Sequence, residues 1–366
     1  MHSSQRYPIP ETRLPFINAE IAQLNIKSEP FLVSSAWAGC LAFWNPQTEE
    51  HFLRQLPQSI PGAYMLKTGP DGALYLGCGN GDLLRFNGDD NDFEILVKGH
   101  MRGLCWGGAV TERHAFWNAH YGDCDGSVAV YDLKTGKVVH TFAPLDTQTP
   151  TGLYGHQTAV MPDGKILWHL DVPHARMVVI DPGKMTRVSL ERSWLDSSKA
   201  TRSALLNDRQ LAVFTADAAY RVSYPDFEVT ENLKAPDSCL AGGRKCPVVI
   251  SGHLYCVAAD NGDLWQMNLD TGVWRRLIDR WAGEEPVILG KWHNRDVCAL
   301  TVSGKALLYE PDSDRSSTLD LEATGKLRAH ALCAVPEKQL IIGAPFINQR
   351  FWTIDMRTGR CETSRG

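Results

Sequence analysis

At 366 residues, 43% of them hydrophobic and 22% charged, the chain has the composition of an ordinary globular protein with enough apolar material for a large core. A formal charge of -5 argues against a general nucleic-acid binder. No apolar run approaches the roughly 18 residues needed to cross a bilayer, and the opening MHSSQRYPIPETRLPF lacks the basic start and apolar core of a secretory signal, so the expectation is a cytoplasmic protein without a membrane or nucleic-acid partner.

Residues 1–19 read as an N-terminal arm, and a repeated unit fills 20–366. The clearest copy lies at 104–140, LCWGGAVTERHAFWNAHYGDCDGSVAVYDLKTGKVVH. It predicts four short strands, at 104–110, 115–120, 127–132 and 137–142. Polar and Gly-Asp turns separate apolar runs that suit strands buried on one or both faces. Taking the start of the third strand as anchor, the copies fall at Gly39, Gly81, Gly126, Ala175, Ala219, Gly262, Gly304 and Gln349, 42 to 49 residues apart. The text after each anchor is self-similar, as in CLAFWNPQT, SVAVYDLKTG, DLWQMNLDTG and RFWTIDMRTG. The hairpin before it often carries a turn such as Pro70-Asp71-Gly72 or Pro162-Asp163-Gly164. The first copy takes its innermost strand from 20–26.

Four-stranded units at this period are the signature of an all-β single propeller, here with eight blades and with seven as the alternative. The turns YDLKTG, NLDTG and IDMRTG resemble those of the broad β-propeller superfamily with quinoprotein-like repeats, a resemblance that implies fold and not activity. No Trp-Asp dipeptide occurs, which counts against the Trp-Asp repeat scaffolds.

Of the ten cysteines none forms a CxxC pair, and Cys256, Cys298 and Cys333 fall inside apolar strands, so buried reduced thiols are expected. Cys239 and Cys246 could close a surface loop, which a cytoplasmic setting disfavours. GCGNGD at 77–82 is glycine-rich but lies between two strands, without the following helix that a nucleotide loop needs. HExxH, GxSxG and GxxxxGK[ST] are all missing from the sequence.

In an antiparallel meander the loop from strand two to strand three shares a face with the crossover to the next blade. That face is chemically loaded, and binding residues concentrate on such loops. The crossovers carry His100, Arg102, Tyr154, His156, Arg202, Arg244, Lys245, Arg328 and His330, which are expected to converge on a central funnel. A second tier comes from Trp37, His120, Tyr121, His169 and Phe346. Cationic groups at the mouth of a net-acidic protein point to a small anionic ligand or an acidic oligosaccharide, since arginine forks onto carboxylates. The plain alternative is that these charges only solvate a channel. His51, His140, His253 and His293 belong to the opposite face or to outer strands and read as structural.

The expected chemistry is proton abstraction beside a carboxylate. His100, His156 or His330 would act as base, and Tyr121 or Tyr154 would protonate the leaving oxygen. Arg102, Arg202, Arg244, Lys245 and Arg328 would hold the charge that develops, with Trp37, His120, His169 and Phe346 contacting substrate. This set is similar to that of propeller-fold polysaccharide lyases, and the resemblance implies β-elimination on a uronate-containing oligosaccharide. The alternatives are a non-catalytic interaction or ligand-binding module, or a lactonase, isomerase or biosynthetic cyclase. No cofactor is expected, a divalent metal on His100, His156 and His330 being the alternative.

Overall fold

The computed structural model describes residues 21–363, apart from 37–38, 58–59, 61, 102–104, 106, 120–125, 144–156, 171–175, 196–201, 216, 241–246, 259–260, 284–286, 293–294, 302–303, 322–328 and 346–351. Residues 1–20 and 364–366 lie outside the description, and for residues 36, 157, 170, 176, 292, 329–331, 344–345, 352 and 363 only the backbone is described. Eight four-stranded antiparallel sheets follow one another along the chain, at 22–55, 63–97, 108–142, 157–190, 202–232, 248–278, 287–320 and 329–363. In every sheet the strand order is the chain order. The first strands of successive sheets pack on one another at six of the eight junctions, so the first strand of each blade is the innermost and the sheets form an eight-bladed propeller. The eight third strands begin within three residues of the predicted anchors.

Burial along the blades explains their sequences. Middle strands are sandwiched between neighbouring blades and read as continuous apolar runs: Leu74–Cys78, His114–Asn118 and Val128–Asp132 are buried throughout. Outer strands meet solvent on one side and alternate, as in Lys137–Phe142 and Arg315–Asp320. Each of the eight junctions between neighbouring blades has its own apolar cluster. At roughly 25 cal/mol per Å² of apolar surface removed from water, these clusters supply the main favourable contribution to folding. The ring closes without exchanging a strand. Leu32, Ala42 and Trp44 of the first blade pack on Cys333, Val335 and Ile342 of the last. Lys338 adds a bond across the seam to Glu49, 3.0 Å, and another to the Gln47 carbonyl, 3.2 Å.

The repeated turn after the third strand has a clear local cause. Asn45, Asn87, Asp132, Asp181, Asn268 and Asp355 each accept hydrogen bonds from backbone N–H groups two or three residues on, which fixes the turn. In all eight blades the fourth residue after the turn's first residue takes a left-handed conformation: Glu49, Asn91, Gly136, Met185, Phe227, Gly272, Asp314 and Gly359. A type I turn followed by one left-handed residue is a favoured way to join two twisted strands.

The tighter constraint lies on the other face, in the turn of GCGNGD. Gly81 has φ +84°, and a Cβ there would collide with the Met101 carbonyl oxygen. Asp82, buried, accepts from the Gly99 N–H at 2.6 Å and so ties this turn to the crossover that follows. Asp263 repeats the device four blades later with the Arg280 N–H, 2.7 Å.

One predicted strand is shorter than expected. The inner strand of blade 3 is Gly108–Val110, not 104–110, because the Cys105 N–H bonds the Cys78 carbonyl of blade 2, 3.3 Å away, instead of a partner in its own sheet. The inner strand of blade 1 is Ala22–Ile26.

Candidate functional site

The mouth face is the end of the ring where inner strands begin and second strands finish. Between blades 4 and 5 it brings together His169, near the end of its second strand, with Arg202 and Ser203, the first two residues of the neighbouring inner strand. His169 Nε2 lies 2.8 Å from Ser203 Oγ. The three residues are 0%, 6% and 3% exposed, so this is an enclosed polar node inside an otherwise apolar inter-blade wall. Burial, reinforced by the Arg202 guanidinium, drives the imidazole down to about 3. His169 is therefore a neutral hydrogen-bonding group at any ordinary pH and too weak a base for proton abstraction near neutrality.

Two irregularities of the inner strands also fall at the mouth. In blade 2 the register shifts between Ala63 and Met65, and in blade 8 between Ala329 and Ala331, which leaves Tyr64 and His330 as the bulged residues. Such bulges re-aim a side chain and recur beside binding sites. Burial, followed by the nearby Cys78 and Cys105 thiols, raises the Tyr64 hydroxyl well above its ordinary value, so it stays a protonated donor. Ser35 reaches across from blade 1 to the Ala63 carbonyl next to it.

Of the residues expected in the funnel, the structure joins His169 with Arg202 and puts His330 at a bulge. His100 is placed differently from expectation. Its Nε2 meets Thr141 Oγ1 of the outer strand of blade 3 at 2.8 Å, so it occupies the rim between blades 2 and 3. The cause is the short inner strand of blade 3, which leaves His100 at the outer end of a longer crossover. Trp37, Arg102, His120, Tyr121, Tyr154, His156, Arg244, Lys245, Arg328 and Phe346 lie outside the described residues. Ser203 and Tyr64 were missed by reading the sequence. Ser203 adjoins a predicted arginine at the start of an inner strand, a position that could have pointed to it. Tyr64 depends on a register shift that residue spacing does not reveal.

On the opposite, hairpin face blade 3 carries a polar group around Asp132. Asp132, the last residue of its third strand, stands opposite His114, the first of the second. Its carboxylate accepts from the Thr135 and Lys134 N–H groups at 2.8 and 2.9 Å and from Arg113 Nε at 2.9 Å, with His114 Nε2 at 3.6 Å. The Thr135 N–H, aided by Arg113 and Lys134, holds its carboxyl down at about 2 against the effect of burial. A groove of about 840 Å³ opens beside it, walled by Arg113, Val139, Val160, Asp163 and Met185. His51 and His140 lie on outer strands, and His253 begins a second strand on the hairpin face. His293 is outside the described residues. Cys256, Cys298 and Cys333 are buried free thiols. Among the described residues no group of three or more His, Cys, Asp or Glu is arranged to hold a metal ion, and no helix is long and apolar enough to cross a membrane.

No protein-family model matches the chain, and no curated protein matches it in sequence. Solved structures do match in fold. Dihydro-heme d1 dehydrogenase NirN in complex with DHE superposes with a TM-score of 0.66 at 12% identity, over 94% of this chain and 77% of that one. The computationally designed Ika8 protein gives 0.57 at 12%, over 84% and 87%. Virginiamycin B lyase from Staphylococcus aureus gives 0.53 at 12%, over 80% and 92%. These likenesses, together with the eight sheets, identify the chain as a β-propeller protein and reach no further than the fold.

Proposed function

We propose that the mouth of the propeller receives a small anionic ligand and that the protein acts on it as an enzyme, in the most specific form by β-elimination on a uronate-containing oligosaccharide. The observation that carries this reading is Arg202, a nearly buried cation at the mouth end of an inner strand, set against a neutral histidine and a serine. A guanidinium in so dry a setting projects a strong positive field toward the channel and stabilises a carboxylate more as negative charge accumulates on it. His169 is too weakly basic to take the proton, so that role falls to His156 or His330, with Tyr121, Tyr154 or Tyr64 as proton donor. Arg102, Arg244, Lys245 and Arg328 would complete the anion site. That a lyase is among the structurally similar propellers supports the compatibility of such chemistry with this fold.

The test is a screen of acidic oligosaccharides followed by the ultraviolet absorbance of an unsaturated uronate. An absorbance rise that Arg202→Gln lowers roughly 100-fold in kcat/KM is the expected result. Absence of any rise, together with full turnover of a neutral substrate by Arg202→Gln, would remove the proposal. The neutral state of His169 also suits a second reading, a propeller that binds its anion without reacting it. Calorimetric binding of a uronate with no absorbance change would select that reading.

A further inference from the structure

The hairpin face holds a second polar centre, in blade 7, that breaks the repeat's own pattern. In each blade the residue that begins the turn stands opposite a residue at or near the start of the second strand. That opposite residue is a donor or apolar in the other blades: His114 in blade 3, Gln210 in blade 5, His253 in blade 6 and Leu340 in blade 8. Extending the registers of the other sheets by one step puts Phe31, Ala73 and Lys165 there in blades 1, 2 and 4. In blade 7 the same step sets Asp296 opposite Glu310, acid against acid. Like charges directly across a strand pair are destabilising, so this arrangement costs stability unless something else sits there.

Asp296 is 6% exposed. Its carboxylate has no hydrogen-bond or ion-pair partner among the described residues, whereas Glu310 and Glu337 beside it are engaged. Glu310 accepts from Gln339 Nε2 at 2.9 Å through one oxygen, and from an Arg315 terminal nitrogen at 2.7 Å and Ser313 Oγ at 2.9 Å through the other. Glu337, on the first hairpin of blade 8, accepts from Arg295 at 2.9 Å. Arg295, the cation next to Asp296 in the chain, is thereby turned to the neighbouring blade. The groups facing Asp296 are thus Glu310 and Asp312 of its own blade, Glu337 of the next, and Arg295. Burial and then Glu310 raise its carboxyl to about 6, with Asp312 and Glu337 adding and Arg295 opposing. The Asp296 oxygens are not among the fully enclosed unpaired atoms, so the carboxylate keeps a small exposure to solvent.

We propose that Asp296, backed by Glu310, Asp312 and Glu337, is a receptor for a guanidinium or alkylammonium group on the hairpin face at the junction of blades 7 and 8. A multidentate metal ion fits poorly: it needs several open oxygens at once, and the oxygens of Glu310 are already committed. An organic cation needs only one or two acceptors along its N–H directions, plus a negative field around them. Asp296 supplies the acceptors, and Glu310, Glu337 and Asp312 supply the field.

The experiment is thermal unfolding of the full chain with argininamide or ethylammonium, with sodium chloride at equal ionic strength as the control. At pH 8 either cation gives a saturable rise in Tm of a few degrees that sodium does not reproduce. The apparent affinity falls roughly tenfold for each pH unit below the Asp296 value of about 6. Asp296→Asn abolishes the response, whereas Asp312→Asn, which keeps Asp296, only weakens it. An equal response in Asp296→Asn, no response in the wild type, or a saturable Asp296-dependent response to Mg²⁺ at lower concentration than to the organic cations would each overturn the assignment.

Discussion

Blades 3 and 7 face the same structural problem and solve it oppositely. In each, an acid begins the turn after the third strand and a second side chain stands across from it, on the same face of the same fold. In blade 3 the turn donates two N–H groups to Asp132, Arg113 adds a third donor and His114 lies opposite, so a carboxyl only 1% exposed is held down at about 2. In blade 7 the opposite residue is itself an acid, and Asp296, only slightly more exposed at 6%, is pushed up to about 6. Burial alone therefore does not decide the state of a carboxyl here. The donors and charges around it decide as well.

Titration is the most direct way to sharpen this contrast, and its largest component must first be separated out. His169 is buried neutral, at about 3 when folded against 6.5 when unfolded. Below pH 6.5 the unfolded chain takes up a proton that the folded one does not, so stability falls as pH drops from 6.5 toward 3, with a ceiling of about 5 kcal/mol. Asp296 acts in the opposite sense. Its folded value of about 6 lies above the ordinary 3.8, so the folded chain binds the extra proton and stability rises as pH falls from 6 toward 4. The two slopes partly cancel between pH 4 and 6. In urea titrations at a series of pH values, His169→Gln is expected to flatten the acid-side loss and uncover the Asp296 slope. A profile unchanged by His169→Gln would mean that the imidazole titrates normally.

Asp296→Asn is the next largest effect, and it is a gain. Removing an unpartnered charge stabilises the fold by roughly 2 kcal/mol at pH 7.5, seen as a higher urea midpoint, and by nothing at pH 4, where the carboxyl is already protonated. A destabilised variant at pH 7.5 would contradict the reading of Asp296 as a destabilising acid and show that its carboxylate makes a favourable contact.

How much of this was legible in the sequence follows from what kind of fact each feature is. The eight blades were legible because the period, the Asx residues and the turn glycines are local, and each acts within four residues of its own position. The Asp82 and Asp263 ties to the crossovers were not, because their partners lie 17 residues away in both cases. At the mouth, His169 and Arg202 were named separately, and only the packing of blade 4 on blade 5 makes them one node with Ser203. His100 was misplaced because spacing cannot tell a crossover that hugs the rim from one that dives to the axis. Asp296 and Glu310 of blade 7 stand in the sequence as two separate acids and become a pair only once the register says which residues stand opposite.

In blade 3 the converse substitution, Asp132→Asn, weakens the acceptor for two turn N–H groups and Arg113. A fall in Tm smaller than the gain from Asp296→Asn is expected at neutral pH. It should shrink toward pH 2, where the wild-type carboxyl also protonates.

Arg113→Ala should have the smallest effect, and it decides which donors matter. Arg113 is 67% exposed, and an ion pair with one solvated partner contributes little because water competes for the guanidinium and ordering the long side chain costs entropy. The Thr135 N–H is the largest influence lowering the Asp132 carboxyl, and it survives the substitution along with the Lys134 N–H. The expected fall in Tm is no more than about 2 °C, and the carbon-13 shift of the Asp132 carboxyl should show it still ionised at pH 4. If Arg113→Ala instead matches the loss from Asp132→Asn, the arginine holds that carboxyl, and the difference between blades 3 and 7 reduces to one surface cation.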